Sequence, residues 1–264
     1  MKRVAALLAL SVVPVLMAQA PQTTQPTLDQ VLVKYYEAQG GLAKMKAVQT
    51  RRVIAKLVAP MDITITEENK RPAYFRTDVQ VQGQTQSSGY DGKTGWHVNP
   101  FAGYGGSKTA EPMTEDELKS AQDQADMDGS LVDWSAKGNK VTLVGTESVD
   151  GAPAYKLKVD LKSGNSEEIY LDTDSYLPVK DIKTVHVRGQ EVKQEVVMGD
   201  YKEVNGLMVP YALEIGMPGA PQRQKVQVQK VEFNVPMDDS RFAMPVAEKP
   251  AAPAPAPQPA VSKD

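Results

Sequence analysis

Apolar and polar residues alternate with a period of two through most of the middle of the chain. Residues 62–66 read DITIT, residues 79–82 read VQVQ, and residues 155–159 read YKLKV. Successive side chains of a β-strand point to opposite faces, so this alternation predicts strands with one apolar and one polar face.

Turn-forming residues separate these runs at the spacing of hairpins, at residues 82–83, 91–92, 150–151, 163–165, 188–189 and 205–206. The pattern predicts one antiparallel meander of roughly ten or eleven strands, and a sheet of that size normally curls. The apolar positions change from even (Val226, Val228) to odd (Val231, Phe233), which predicts a β-bulge near residues 229–230.

The start of this region has the signals of a helix instead. Thr27 and Gln30 form a capping box before an amphipathic stretch that ends at Gly40 and Gly41. We therefore predict that a helix opens the fold, and that residues 42–48 add another turn or two before the first strand.

A second capping box, formed by Thr114 and Glu117, predicts a helix over residues 114–128. Its apolar stripe is narrow and consists of Leu118, Ala121 and Ala125. We expect this helix to lie over the sheet or its opening and to be mobile.

The N-terminus has the three parts of a secretory signal peptide. Basic Lys2 and Arg3 precede an apolar run over residues 4–17, and small residues follow at positions 18–20. This run is too short for a membrane-spanning helix, so we predict a signal peptide over residues 1–20 and an exported protein.

The predicted mature chain comprises a linker (residues 21–26), one β-rich domain (residues 27–244) and a tail (residues 245–264). The tail alternates Pro and Ala. Such a composition cannot bury enough apolar surface to offset the entropy of ordering, so we predict a disordered tail.

Composition excludes several classes of protein. The chain has no cysteine, which excludes disulfides, thiolate metal sites and an acylated cysteine. Its formal net charge is −3, and Lys and Arg are scattered rather than clustered, which argues against a nucleic-acid partner. We predict a soluble monomer that needs no cofactor.

Catalytic and metal-binding patterns are weak. Residues 92–94 read GKT, but Ser87 stands where a phosphate-binding loop needs glycine. The two histidines, His97 and His186, are far apart in sequence, and we interpret His97 as a solvated strand residue. We interpret the aspartates within residues 123–128 as a solvated helix end. With no nucleophile elbow in the sequence, we predict neither a metal site nor an enzyme.

The predicted sheet has an apolar face and few helices to cover it, so the interior is either filled by ordinary packing or forms a cavity. Methionine is abundant, with 11 residues against 4 Phe and 2 Trp. Flexible thioethers adapt to irregular apolar shapes, although they also fill ordinary cores. Composition alone leaves both interpretations open.

Residues 70–75 read KRPAYF, and residues 91–101 read DGKTGWHVNPF. In order and spacing these segments resemble the Lys-Arg-Pro strand and the Asp-Gly-Lys-Thr hairpin of LolA, the periplasmic carrier of outer-membrane lipoproteins. Further segments resemble a broader set of LolA-like lipoprotein-sorting proteins, namely residues 170–172, 176–179, 200–202, 205–210 and 233–234. The resemblance spans roughly residues 27–245.

The resemblance implies a mainly β (α+β) fold: one strongly curved antiparallel sheet forms an unclosed β-barrel, with helices as a lid over an apolar cavity. Arg71 matches the arginine that holds this lid, and its guanidinium can bond the carbonyls of a lid helix. We predict that Ile65, Phe75, Trp96 and Val98 lie at the cavity or its rim.

The implied function is a periplasmic carrier whose cargo is an acylated lipoprotein or a diacyl lipid. Its implied partners are an inner-membrane donor and an outer-membrane acceptor. This chain is longer than the compact carrier and adds the Pro-Ala tail, which leaves delivery to the same acceptor open. The alternatives are a lipid- or lipoprotein-sensing regulatory protein, and an envelope scaffold with a filled core and an interacting tail.

Overall fold

The computed structural model describes residues 25–101, 107–187 and 189–246. The predicted signal peptide and residues 247–264 of the predicted tail lie outside these residues. The helices of the described part are α1 (Leu28–Ala38), α2 (Leu42–Ala47), α3 (Glu115–Ala125) and α4 (Trp134–Lys137), with a 3-10 turn at Asp239–Arg241.

The strands of the same residues are β1 (Thr50–Leu57), β2 (Ile63–Lys70), β3 (Tyr74–Val81), β4 (Gln84–Tyr90), β5 (Gly95–Asn99), β6 (Ser107–Pro112), β7 (Lys140–Val149), β8 (Ala152–Asp160), β9 (Ser166–Asp172), β10 (Pro178–Val187), β11 (Gln190–Val204), β12 (Leu207–Gly216) and β13 (Gln224–Phe233). There are thirteen of them rather than ten or eleven. The sequence estimate was low because short polar strands such as β6 (SKTAEP) carry no apolar alternation and are held by backbone pairing.

All thirteen strands form one sheet in the order β6, β5, β4, β3, β2, β1, β13, β12, β11, β10, β9, β8, β7. Every neighbouring pair is antiparallel, so two meanders are joined side by side through β1 and β13. Within the described residues, β6 pairs only with β5 and β7 only with β8, so the sheet is not closed into a barrel. This confirms the expected fold class.

The sheet is strongly curled, and α3 lies on its concave side. Helix α3 contacts β3, β4 and β5 and also β10. From β3 to β10 there are six steps in the sheet. Six steps span about 29 Å in a flat sheet at about 4.8 Å each, whereas a helix with its side chains is about 10–12 Å wide. One helix can touch both groups of strands only if the sheet wraps around it.

Both predicted capping boxes are present. In α1, the Gln30 amide donates to Thr27 Oγ1 at 3.3 Å while the Thr27 amide donates to Gln30 Oε1 at 2.9 Å. Thr114 and Glu117 make the same pair of bonds at α3. This second helix ends at Ala125, three residues before its predicted end.

Helix α1 is held by apolar packing on the concave side. Val31 and Leu32 are buried against residues of β7, β8 and β9, including Leu157, Val159 and Leu171. After α1 the chain passes close to the β11–β12 turn, and only glycine fits there. A Cβ at Gly40 would lie 2.0 Å from the carbonyl oxygen of Gly206.

The predicted turns at residues 82–83, 91–92, 150–151, 163–165 and 205–206 are confirmed, as is the bulge, whereas residue 188 of the sixth predicted turn lies outside the described residues. Residue pairing between β1 and β13 shifts where Ile54 faces Lys230 and Ala55 faces Val228, which leaves Gln229 as the extra residue. No helix in the described part of the chain is long and apolar enough to cross a membrane.

Candidate functional site

The centre of the concave face is an apolar surface, which we call the apolar strip. Its buried members are Ala55, Val226, Val228 and Val231, and its partly buried members are Val53, Leu57, Ile65, Val204, Val209, Tyr211, Leu213, Ile215 and Phe233. All of them belong to strands β1, β2, β11, β12 and β13. Among the described residues, no helix contributes a side chain to this strip.

Helices cover the two regions that flank the apolar strip. Helix α1 packs on β7 to β9. On the other flank, Ala121 and Ala125 of α3 pack on Phe75 and Tyr90. Gly95 lets this helix approach, because a Cβ there would lie 3.0 Å from Leu118 Cδ1 of α3. Helix α3 thus reaches from β3, β4 and β5 across to β10, but neither helix contributes a side chain to the apolar strip among the described residues.

The four predicted cavity residues fall on opposite faces of the sheet. Ile65 belongs to the apolar strip, and Phe75 is buried beneath α3. Phe75 pairs with Tyr90, and Tyr90 pairs with Gly95, so Trp96 and Val98 point to the convex face. The structure does not bring Trp96 and Val98 to the apolar strip. The prediction from sequence was wrong for these two residues, because strand alternation specifies two faces without telling which one is concave.

Trp96 instead holds the C-terminal part of the described fold on the convex face. Its side chain is fully buried, and its Nε1 donates to the carbonyl oxygen of Phe242 at 2.7 Å. The Arg76 guanidinium lies 5.4 Å from the centre of the Trp96 ring. A cation over an aromatic face is attracted by the ring's negative quadrupole, which adds to this attachment.

Arg71 joins two segments of the chain that are far apart in sequence. Its Nη1 and Nη2 each donate to one carboxylate oxygen of Asp128 at 2.6 Å. Its Nε donates to the Val48 carbonyl at 2.6 Å, and Nη2 donates to the Met45 carbonyl of α2 at 3.3 Å. The guanidinium fork thus bonds α2 directly and reaches the segment after α3 through an ion pair.

The aspartates within residues 123–128 each have a partner, so they do not form a solvated helix end. Asp123 accepts hydrogen bonds from Asn165 Nδ2 at 2.7 Å and from Ser163 Oγ at 2.8 Å in the β8–β9 turn. Asp126 pairs with Lys137 at 2.5 Å. Together with the Arg71 ion pair, these bonds tether α3 and its following segment. Sequence analysis missed them because their partners are distant in the chain.

Charged side chains lie beside the apolar strip on the concave face. Lys183 Nζ lies 3.5 Å from Glu167 Oε1 and 4.0 Å from Asp181 Oδ2. On the opposite side of the concavity, where β1 and β2 are neighbours, Arg51 Nη2 donates to Glu67 Oε1 at 2.6 Å. The Lys183 side chain is 43% exposed although it sits inside the curve, so open space remains beside it.

Asp181 is a strongly perturbed carboxyl group of this cluster. Burial, with a smaller contribution from the negative charge of Glu167, raises its pKa to about 7, while Lys183 opposes the shift. Its Oδ1 is buried and has no hydrogen-bond partner among the described residues. The sequence offered one sign of this cluster, since Asp181 and Lys183 occupy alternating positions of β10 that would otherwise be apolar.

The structure places His97 on the concave face of β5, next to the edge strand β6, with its Nε2 3.9 Å from Glu111 Oε2. Within the described ranges, no group of three or more His, Asp and Glu side chains is arranged to hold a metal ion.

No family model matches this sequence, and no curated protein matches it. Solved structures do match it. A LolA superfamily protein from Nitrosomonas europaea superposes with a TM-score of 0.54 at 12% identity, over 83% of this chain and 98% of that one. A DUF1329 family protein from Desulfovibrio piger superposes with a TM-score of 0.54 at 10% identity, over 83% of this chain and 98% of that one. The chain therefore has a LolA-like fold.

Proposed function

We propose that this chain is a periplasmic carrier that shelters acyl chains of lipoproteins or other lipids against the apolar strip. The observation that carries the proposal is that this strip lies inside the curved sheet between two helix-covered regions and receives no helix side chain among the described residues. The LolA-like fold and the predicted signal peptide support the same role.

Acyl chains suit this surface because the gain from burying them is apolar and needs no specific geometry. Burial contributes about 0.8 kcal/mol per methylene, so roughly eight sheltered methylenes would gain about 6 kcal/mol. Association uses part of this gain through lost motional freedom. The result is a complex of modest affinity that can release its cargo, as a carrier must.

Helix α3 is the lid in this proposal. Its buried side chains are only Ala121 and Ala125, whereas α1 buries Val31 and Leu32. Small side chains bury little apolar area, so displacing α3 costs less than displacing α1. The hydrogen bonds and ion pairs of Asp123, Asp126 and Asp128 hold the lid in place, but they do not make it part of the apolar core.

The proposed role involves no bond chemistry, and we propose that the protein is not an enzyme. The polar groups nearest to the lid have structural partners. Arg71 bonds Asp128, Ser130 Oγ donates to Glu167 at 2.5 Å, and Asn69 Nδ2 donates to the Gln124 carbonyl at 3.0 Å.

The test is uptake of a fluorescent fatty acid by the exported protein, with a diacyl lipopeptide as competitor. Ile65→Gln places a polar group in the apolar strip, and Ile54→Gln places the same group on the adjacent strand with its side chain on the opposite face. We expect Ile65→Gln to weaken binding by about tenfold or more and Ile54→Gln to change it by less than about twofold.

Circular dichroism must confirm that both variants remain folded. Equal losses in both variants would contradict binding at the strip. A wild-type protein that takes up no probe would favour the scaffold alternative, in which the interior has no room for a ligand.

A further inference from the structure

Exposed apolar side chains gather at one end of the sheet, and we call this set the apolar rim: Val58, Met61, Val187, Val192 and Met217. Their side chains are between 40% and 66% exposed. Eight large hydrophobic residues among the described ones are at least 40% exposed, and the rim accounts for five of them.

The register places all five residues at the same end. In an antiparallel meander, successive turns alternate between the two ends of the sheet. The β1–β2, β10–β11 and β12–β13 turns lie at one end, and they carry or adjoin the rim residues. At the opposite end, the described turns carry none of the eight exposed residues.

The opposite end is occupied by helices. There Arg71 bonds the Met45 carbonyl of α2, and the Met208 amide of the β11–β12 turn region donates to the Gln39 carbonyl at 3.2 Å. At the rim end, the Gly189 amide donates to Asp116 in the first turn of α3 at 3.3 Å. The lid therefore starts at the rim, which is where a ligand would enter.

The rim continues into the apolar strip. Met217 comes two residues after Ile215 at the end of β12, whereas Val58 directly follows Leu57 and its side chain points to the opposite face. Leu57 and Ile215 belong to the strip, and Leu57 faces Val226 across β1 and β13. An acyl chain can thus reach the strip past Met217 at the β12–β13 turn.

We propose that the apolar rim docks on the surface of a lipid bilayer, so that acyl chains move between the bilayer and the apolar strip without crossing water. The proposal rests on the carrier function proposed above and adds the surface from which the cargo is exchanged.

The composition of the rim favours a bilayer over a protein partner. Protein interfaces concentrate their binding energy in Trp, Tyr and Arg side chains packed in a contiguous patch. The rim has only Val and Met, on three separate turns. A fluid bilayer accepts such scattered apolar tips, because lipids rearrange around each one.

Three cations near the rim have carboxylate partners in the protein, whereas Lys193, next to Val192 on β11, is exposed and has no ion pair among the described residues. Lys56 Nζ lies 2.9 Å from Asp62, and Lys225 Nζ lies 3.4 Å from Glu214. Arg223 pairs with Glu195 in the same region. Most of the positive charge near the rim is thus balanced within the protein, so docking relies mainly on apolar insertion and should depend little on ionic strength.

The absence of cysteine allows a direct test. Met217→Cys and Val144→Cys are each labelled with an environment-sensitive NBD fluorophore. Both positions are well exposed, at 66% and 54%, but Val144 lies on β7 away from the rim. The labelled proteins are mixed with phosphatidylethanolamine vesicles containing a minor fraction of phosphatidylglycerol, with and without nitroxide quenchers in the acyl region.

We expect the label at position 217 to shift to the blue and to be quenched, and the label at position 144 to be unaffected. In vesicle flotation, Val58→Ser with Met217→Ser should lower the bound fraction by about tenfold, whereas Val33→Ser with Val144→Ser should lower it by less than about twofold. High salt should leave both results unchanged.

Equal responses at positions 217 and 144, or binding that disappears at high salt, would overturn the docking surface. Uptake of the fluorescent fatty acid from solution separates this proposal from the carrier function. A protein that takes up the fatty acid but does not float with vesicles rejects the rim and keeps the carrier. A protein that floats through the rim but takes up no fatty acid rejects the carrier and keeps the docking surface.

Discussion

Arg71 connects two pieces of chain that are far apart in sequence, namely α2 and the segment after α3. Its five donors allow it to bond Asp128 with both arms of the fork while still reaching the Met45 and Val48 carbonyls. A lysine has a single ammonium and cannot reproduce this geometry. Arg71 thus couples the position of the segment after α3 to that of α2.

We predict that Arg71→Leu destabilises the protein by about 2 kcal/mol, since it leaves the carboxylate of Asp128, only 12% exposed, without its cation. The loss should shrink only as pH falls below the ordinary pKa of an aspartate, because the Arg71 guanidinium holds the pKa of Asp128 below that value and the gain disappears as the carboxylate becomes protonated. Urea unfolding at several pH values measures both effects.

Adding Asp128→Asn to Arg71→Leu is the matched control. It removes the unpaired charge, so the double variant should recover part of the lost stability. If Arg71→Leu alone unfolds at the wild-type urea concentration, the ion pair contributes nothing and the coupling described here is wrong.

At the scale of elements, local signals in the sequence predicted what local interactions determine. Both capping boxes lie within four residues of sequence, and they correctly predicted α1 and the start of α3. Alternation and turn residues predicted the antiparallel meander, and a change of phase predicted the bulge at Gln229. Each of these features is specified by residues adjacent in the chain.

Long-range arrangement was less predictable. The alternation of side chains along a strand places Trp96 and His97 on opposite faces of the sheet. It does not tell which of them faces the concavity, because curvature depends on where the helices dock. The sequence also gave no means of matching Asp123 with Asn165, which lies in a different hairpin. The pairing of β1 with β13 joins the two ends of the sheet region and has no local signature.

Helix α3 depends more on polar tethers than on packing, and this difference can be measured. We predict that Asp123→Ala raises amide hydrogen exchange in α3 by about tenfold, because Asn165, which is 5% exposed, loses the acceptor of its buried side chain. Exchange in α1 should stay unchanged, since Val31 and Leu32 hold that helix. Hydrogen exchange with mass spectrometry resolves the two helices.

Gln122→Ala is the control for this prediction. It introduces the same alanine at an exposed neighbouring position of α3, where it raises helix propensity without removing a tether. Faster exchange in both variants would mean that α3 responds to any substitution, and the tether would then have no special role.

At the scale of the whole molecule, the curved sheet brings charges from its two halves toward one interior. Glu67 of β2 acts electrostatically on Lys183 of β10, although five steps of the sheet separate these strands. Asp181 and Glu167 face the same lysine. A flat sheet would keep these groups far apart, so their interaction is a consequence of the curl.

This interior makes the stability of the fold depend on pH. The carboxyl group of Asp181 has an ordinary pKa of 3.8 in the unfolded chain, whereas burial raises its pKa to about 7 in the folded protein. Between these values the unfolded state binds fewer protons than the folded state, so the contribution of Asp181 to stability falls as pH rises and is constant above about pH 7.

We predict that Asp181→Asn is more stable than the wild type by on the order of 1 kcal/mol or more at pH 8, with a difference that shrinks toward pH 4. The amide keeps the shape of the carboxyl group but cannot ionise beside Glu167. Urea unfolding across this range measures the difference, and Asp174→Asn, at an exposed position of the β9–β10 turn, should follow the wild type at every pH. A pH-independent difference between Asp181→Asn and the wild type would mean that Asp181 is already ionised in the folded protein, with water in the concavity solvating its Oδ1.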